Sequence, residues 1–178
     1  MLSWKEYPRT VGGLAKYLSW FKDFKRPSQL LQNTKGPIKK VSLFGENFKS
    51  TGKLSAYDLE QGSVGDNYLL TVIAALAERG NFIPNMFHQS EYTDEGIFTI
   101  KVYVKGRPED ITIDDTFPIY SGRSAFAKPS VDKGWWLPLI EKAFAKVHVN
   151  YEMISSGDHA EAARFLTGSP SSEFVSNL

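Results

Sequence analysis

The stretch from Asn67 to Arg79 constrains the fold more than any other part of the chain. Leu69, Leu70, Val72, Ile73, Ala74, Leu76 and Ala77 make it apolar almost all round a helical wheel, and such a helix belongs in the centre of a domain. Arg79 in the last turn and Gly80 just after it supply the stop. The spacing predicts a central buried helix at about 67–79, which the rest of the 178-residue chain must cover. A chain of that length is about one domain.

Two further segments qualify as cover. Gly96 to Val104 alternates apolar and polar residues, Lys105-Gly106-Arg107-Pro108 makes a turn, and Glu109 to Asp115 returns, which predicts a β-hairpin at about 96–115. Phe117-Pro118 and Ser121-Gly122-Arg123 then read as a loop. Trp136, Leu139, Ile140, Ala143, Phe144 and Val147 share one face of an amphipathic helix at about 135–148, with Pro138 in its first turn. A short helix at Ala160–Phe165 follows. Helices and an antiparallel hairpin in separate blocks make the class α+β.

The formal net charge of +1 conceals two opposed halves: residues 1–50 hold 10 Lys and Arg against 3 Asp and Glu, and residues 51–178 hold 11 against 17. Residues 1–53 read as a basic, aromatic arm, 54–170 as the domain, and 171–178 as a polar tail. Within the arm, Leu14, Tyr17, Leu18, Phe21 and Phe24 follow helical spacing with Lys22, Lys25 and Arg26 elsewhere on the wheel, which predicts a short helix near 13–25 ended by Pro27. Such a stripe suits a partner's groove or a membrane surface, and more often is a docking face on the chain's own domain. It also has the make-up of a mitochondrial transit segment, against which Glu6 and Asp23 count. Residues 33–53, rich in Gly, Lys, Ser and Thr, read as an extended linker. No nucleic-acid motif accompanies the charge, so no specific nucleic-acid partner is expected. No apolar run reaches the roughly 18–20 residues of a spanning helix.

The turn that opens the central helix, Gln61-Gly62-Ser63-Val64-Gly65-Asp66-Asn67-Tyr68, resembles the nucleophile turn of calpain-type cysteine proteases, where Gly-Asp precedes the catalytic Cys and Trp. The likeness continues in order through Ile113-Asp114-Asp115, the Leu139-Ile140-Glu141-Lys142-Ala143-Phe144-Ala145-Lys146 stretch, Tyr151-Glu152 and Leu166-Thr167-Gly168, covering about 50–170. It implies the papain-like first, Cys-bearing subdomain of that family, here without the second subdomain that carries His and Asn. Asn67 stands at the nucleophile position and Gln61 at that of the oxyanion-hole glutamine. A carboxamide has no thiolate form, and the chain contains 0 cysteines, which excludes every thiol mechanism. His88, His148 and His159 match none of the triad motifs. A laboratory silencing of an active enzyme is disfavoured, because Tyr68 replaces the Trp as well.

The resemblance also implies a calcium site with ligands at Gly52, Asp58 and Glu141; the residues alone allow instead that Asp58 caps the approach to the helix and Glu141 pairs with a cation. No other cofactor is expected. The expected function is therefore a calpain-like pseudoprotease. It would be a structural subunit of a larger intracellular assembly, docking on other protein subunits through the arm and the former cleft face. A calcium- or membrane-responsive module using Asp58 and Glu141 is the alternative. Small calpain-like proteins without catalytic residues are familiar from protists, often with cytoskeletal or ciliary association, and the arm's composition leaves a mitochondrial assembly as the competitor.

Overall fold

The apolar segments gather into one core, seen in a computed structural model that describes residues 23–32, 40–62, 65–120, 122–130 and 134–172. In chain order the elements are β1 (Asp23–Lys25), α1 (Pro27–Gln32), α2 (Glu46–Thr51), α3 (Asn67–Ala77), β2 (Ile97–Val104), β3 (Arg107–Asp114), β4 (Phe117–Tyr120), β5 (Arg123–Ser124), α4 (Trp136–Val147) and α5 (His159–Thr167). Single 3₁₀ turns lie at Ala56–Asp58 and Pro84–Met86. The α+β class and both long helices are as the sequence predicts.

The hairpin forms with a tighter turn than predicted. Val104 pairs directly with Arg107 and Ile97 with Asp114, leaving Lys105 and Gly106 as a two-residue loop. Both loop residues have positive φ, 52° and 76°, the combination whose twist matches the flanking strands. Phe98, Ile100 and Val102 point from one face of β2 into the core.

Three expectations need correction. Asp23–Lys25, placed at the end of a helix near 13–25, is instead a strand that pairs antiparallel with β4 (Phe24 opposite Pro118); residues 13–22 lie outside the described residues. The predicted loop after the hairpin is β4 and β5, which with β1 make a three-stranded sheet of order β1-β4-β5. The predicted linker contains α2, and Val41, Leu43 and Phe44 join the core. Short apolar stretches such as Val41–Phe44 carry no period by which to be read. They become ordered only through long-range pairing, here a parallel bridge between Ser42 and Gly134.

The two long helices also exchange roles. α3 keeps an exposed stripe, Asn67, Thr71 and Ala75, at i, i+4 and i+8. In α4, every residue from Trp136 to Ala145 is buried, including Glu141 and Lys142. Each fully buried side chain the size of Leu139 or Ile140 contributes roughly 1.5–3 kcal/mol relative to exposure. The two ionisable side chains on α4 defeat a hydrophobicity reading because each finds polar partners inside.

Candidate functional site

The turn before α3 is built by close backbone approach. A Cβ on Gly62 would stand 2.0 Å from the Phe126 carbonyl oxygen, and one on Gly65 would stand 2.8 Å from that of Ser155. Two loops thus close on the turn, and no other residue fits at Gly62 without moving backbone. The Phe126 ring stacks on Tyr151 at 3.8 Å with the planes 10° apart. Beside the turn, Lys128 forms an ion pair with Glu60 and donates its N–H to the Glu60 carbonyl at 3.0 Å.

Asn67 is the first residue of α3 and is exposed. Its Oδ1 accepts the Tyr68 N–H at 3.0 Å, and its carbonyl accepts the Thr71 hydroxyl at 2.7 Å. A carboxamide held in this way satisfies a helix-end donor and cannot ionise. Tyr68 is buried and donates its hydroxyl to the Ile154 carbonyl at 3.1 Å. Burial, reinforced by the nearby Asp66 charge, pushes that hydroxyl's pKa up to about 12, so Tyr68 is a neutral packing group.

Gln61 is exposed at the start of the turn and approaches the Asp66 carboxyl. Asp66 occupies the N-cap position, yet its side chain makes no capping bond. It turns inward, where it is 0% exposed, to meet the Glu141 carboxyl of α4. Glu141 is 1% exposed and accepts the Ala127 N–H at 2.9 Å (Oε2) and 3.2 Å (Oε1). Nothing in the sequence connects Asp66 to Glu141 directly. The only signal was an acid on each of two apolar segments.

The histidines lie elsewhere. His88 Nε2 is 3.1 Å from Asp110, and His148 faces the Phe144 carbonyl at 2.9 Å and Glu161 at 3.3 Å. His159 is exposed at the start of α5. Among the described residues no hydrogen bond joins any of them to Asn67.

The residues named for calcium divide. Gly52 is the exposed left-handed cap of α2, and Asp58 ends a 3₁₀ turn, its side chain lying outside the described residues. Glu141 lies in the core, where its carboxyl meets the Ala127 backbone amide and another acid. Among the described residues no group of three or more His, Asp or Glu is disposed to hold a metal ion.

At the arm's end, Arg26 donates Nε to both Asp115 oxygens at 2.8 and 3.0 Å, and Nη2 to the Asp94 carbonyl at 2.7 Å. The Tyr92 hydroxyl donates to the same carboxylate. Phe24, Lys25 and Arg26, named as interaction residues, therefore lie on the domain's own sheet and its border. Leu14, Tyr17, Leu18, Phe21 and Lys22 lie outside the described residues. No described helix is long and apolar enough to cross a membrane.

The family model described as calpain family cysteine protease matches residues 15–177. Calpain-10 of Rattus norvegicus is 38% identical over 116 residues, which is 62% of this chain and 17% of that protein. The calpain-type cysteine protease DEK1 of Arabidopsis thaliana is 32% identical over 162 residues, 87% of this chain and 8% of its own length. Calpain-A of Drosophila melanogaster is 32% identical over 117 residues, or 64% and 14%. The chain thus spans only 8–17% of the length of these three relatives.

Proposed function

Because the chain belongs to the calpain family of cysteine proteases, we propose that it is a catalytically inactive first-subdomain unit serving as a structural subunit of a larger assembly. The observation that carries this reading is Asn67. The helix N-terminus that in a cysteine protease stabilises a thiolate here presents a carboxamide bonded to its own helix, in a chain with 0 cysteines. Meanwhile the surrounding framework is kept: Gly62 and Gly65 still admit the loops at Phe126 and Ser155. A turn with its packing intact and its reactive atom replaced fits retention for shape.

Docking in this reading belongs to the arm ahead of β1, with Leu14, Tyr17, Leu18, Phe21 and Lys22 as the contact stripe, and to the former cleft face around Asn67. Phe24, Lys25 and Arg26 anchor that stripe to the domain. Partners are other protein subunits, and cytoskeletal and mitochondrial assemblies both suit the stripe's composition. Cross-linking of the native protein, read by mass spectrometry, is expected to join Lys22 or Lys16 to a second protein. A monodisperse monomer isolated from its native source would sink the proposal.

The inactivity is tested separately. The chain is expected to give no turnover of fluorogenic peptides, and Asn67→Cys is expected to alkylate readily at an exposed helix N-terminus while still giving none, since no imidazole is hydrogen-bonded there. Peptide hydrolysis by either protein would overturn the inactive assignment.

A further inference from the structure

Arg26 belongs to the N-terminal segment, but its guanidinium is received by the hairpin and the turn before it. Its Nε donates to both Asp115 oxygens at 2.8 and 3.0 Å, and its Nη2 to the Asp94 carbonyl at 2.7 Å. The receiving carboxylate is 3% exposed and is oriented by the Tyr92 hydroxyl. Room for the guanidinium comes from a missing side chain. A Cβ on Gly96 would stand 2.2 Å from Arg26 Nη2 and 2.4 Å from Asp115 Oδ1, and the φ of 66° there suits glycine. Gly96 is fixed in turn by its own N–H, donated to the Thr93 carbonyl at 3.1 Å, and by its carbonyl, which accepts the Asp115 N–H at 2.9 Å. These bonds all lie within residues 92–115 and none is made by the arm. Exposed Glu91, Asp94 and Glu95 in the same turn add a negative field that favours a cation.

We propose that this recess is a guanidinium-binding socket built by the domain, and that Arg26 is its resident ligand. Together with the edge of β4 it is a receptor for a short strand that ends in an arginine, which Asp23–Lys25 and Arg26 fill in cis. The acceptors select guanidinium over ammonium. One planar fork serves the carboxylate through Nε and the Asp94 carbonyl through Nη2, whereas a lysine brings a single nitrogen. Lys142, whose charge also reaches Asp115, holds its Nζ on Asp114 at 2.8 Å and on the Thr116 carbonyl at 2.6 Å. Arg26 is presented by its own junction: Pro27 opens α1, and the Gln29 side-chain oxygen accepts the Arg26 N–H at 2.8 Å. Because ligand and socket are joined by one ion pair and three residues of strand, an arginine on an extended segment of another protein competes with the arm for the same place. The socket does not depend on the assembly role proposed above.

Chemical rescue of the whole chain tests the socket. Arg26→Ala removes the resident ligand, and ethylguanidinium, the same head group on a short stem, is the probe. For so small a ligand the dissociation constant is roughly millimolar. At about ten times that concentration, binding to the native state lowers the unfolding constant of Arg26→Ala about tenfold, read by urea unfolding. Ethylammonium at the same concentration is expected to give no such gain, and neither probe should stabilise the wild type, whose socket is filled. Arg26→Ala combined with Asp115→Asn lacks the carboxylate and should not respond to ethylguanidinium. If Arg26→Ala is unfolded in buffer, its refolding on adding ethylguanidinium is the readout instead. A further measurement needs no variant: by NMR, the Arg26 Nε–H of the wild type should exchange with water far more slowly than that of an exposed arginine. No gain from ethylguanidinium, an equal gain from ethylammonium, an equal gain in the wild type, or fast exchange at Arg26 Nε would each overturn the socket.

Discussion

At the far end of the β2–β3 hairpin, two adjacent acids each meet a cation: Asp114 the Lys142 ammonium and Asp115 the Arg26 guanidinium. Beneath the turn that opens α3, Asp66 meets Gln61 and another acid, Glu141. The first region uses charge to fasten separate elements, since Lys142 holds α4 to the hairpin and Arg26 holds the N-terminal strand to β4. The second region, which presents Asn67, holds its shape by close backbone contact and a buried carboxyl pair. Within the first region the two pairs differ again. Asp115 is 3% exposed and its partner 35%, whereas Asp114 is 42% exposed and its partner 2%. Which member can reach water decides what happens when the other is removed.

Arg26→Ala should have the largest effect. Among the described residues it leaves the Asp115 carboxylate inside with the Tyr92 hydroxyl as its side-chain donor, and breaking a buried pair from one side costs about 3–5 kcal/mol. Arg26 is about a third open to solvent, so screening brings the expected loss to about 2–3 kcal/mol. The same change should release β1, read as loss of hydrogen-exchange protection in its backbone amides while α3 stays protected. Protection unchanged in β1 would mean that strand pairing alone holds the arm, and the contrast between the regions would narrow.

Lys142→Met should cost less, about 1–2 kcal/mol by urea unfolding. Methionine keeps most of the packed volume, and Asp114 can turn to water, so no buried charge is stranded; the Thr116 carbonyl alone loses its donor. The opposing forces on this pair agree with that ranking. Burial holds the Lys142 proton affinity below its ordinary value in spite of Asp114, so the ammonium is the member that bears the desolvation. A loss larger than that of Arg26→Ala would show that solvent access of the remaining partner is not what decides.

What could be read from sequence divides along the same line. The hairpin, α3, α4 and the position of Asn67 were legible because each rests on local period or on a run of adjacent residues. β1 was not, because a three-residue strand exists only through pairing across more than ninety residues of chain, as Asp23 with Ile119; β4 and β5 pair with each other locally but, at four and two residues, are too short to show a period. The burial of Glu141 and Lys142 was hidden for a related reason. A charged residue on a helix reads as surface unless its partner is known, and those partners sit on β3, on the Ala127 loop and at Asp66. The turn at Gly62 was legible as a motif, but the need for its glycines is supplied by Phe126 and Ser155, each more than sixty residues away.

The smallest expected effect, and the one that separates the two regions most cleanly, is at acid pH. Burial pushes the Asp114 carboxyl up, but the Lys142 charge and hydrogen bond and the Thr116 N–H outweigh it and hold its pKa below the ordinary value. A depressed native value means that the unfolded chain takes up the proton first. Asp114 therefore contributes stability above roughly pH 4, lost as pH falls through its native value. Burial raises the proton affinities of Asp66 and Glu141, so that pair has the opposite sign, its contribution being complete in acid and declining as pH rises. Asp114→Asn should flatten the acid limb of the stability profile and leave the limb above pH 5 as in the wild type, while Glu141→Gln does the reverse. If one substitution moved both limbs, the two carboxyl clusters would be coupled through α4, on which Glu141 and Lys142 are neighbours, and would have to be treated as one electrostatic unit.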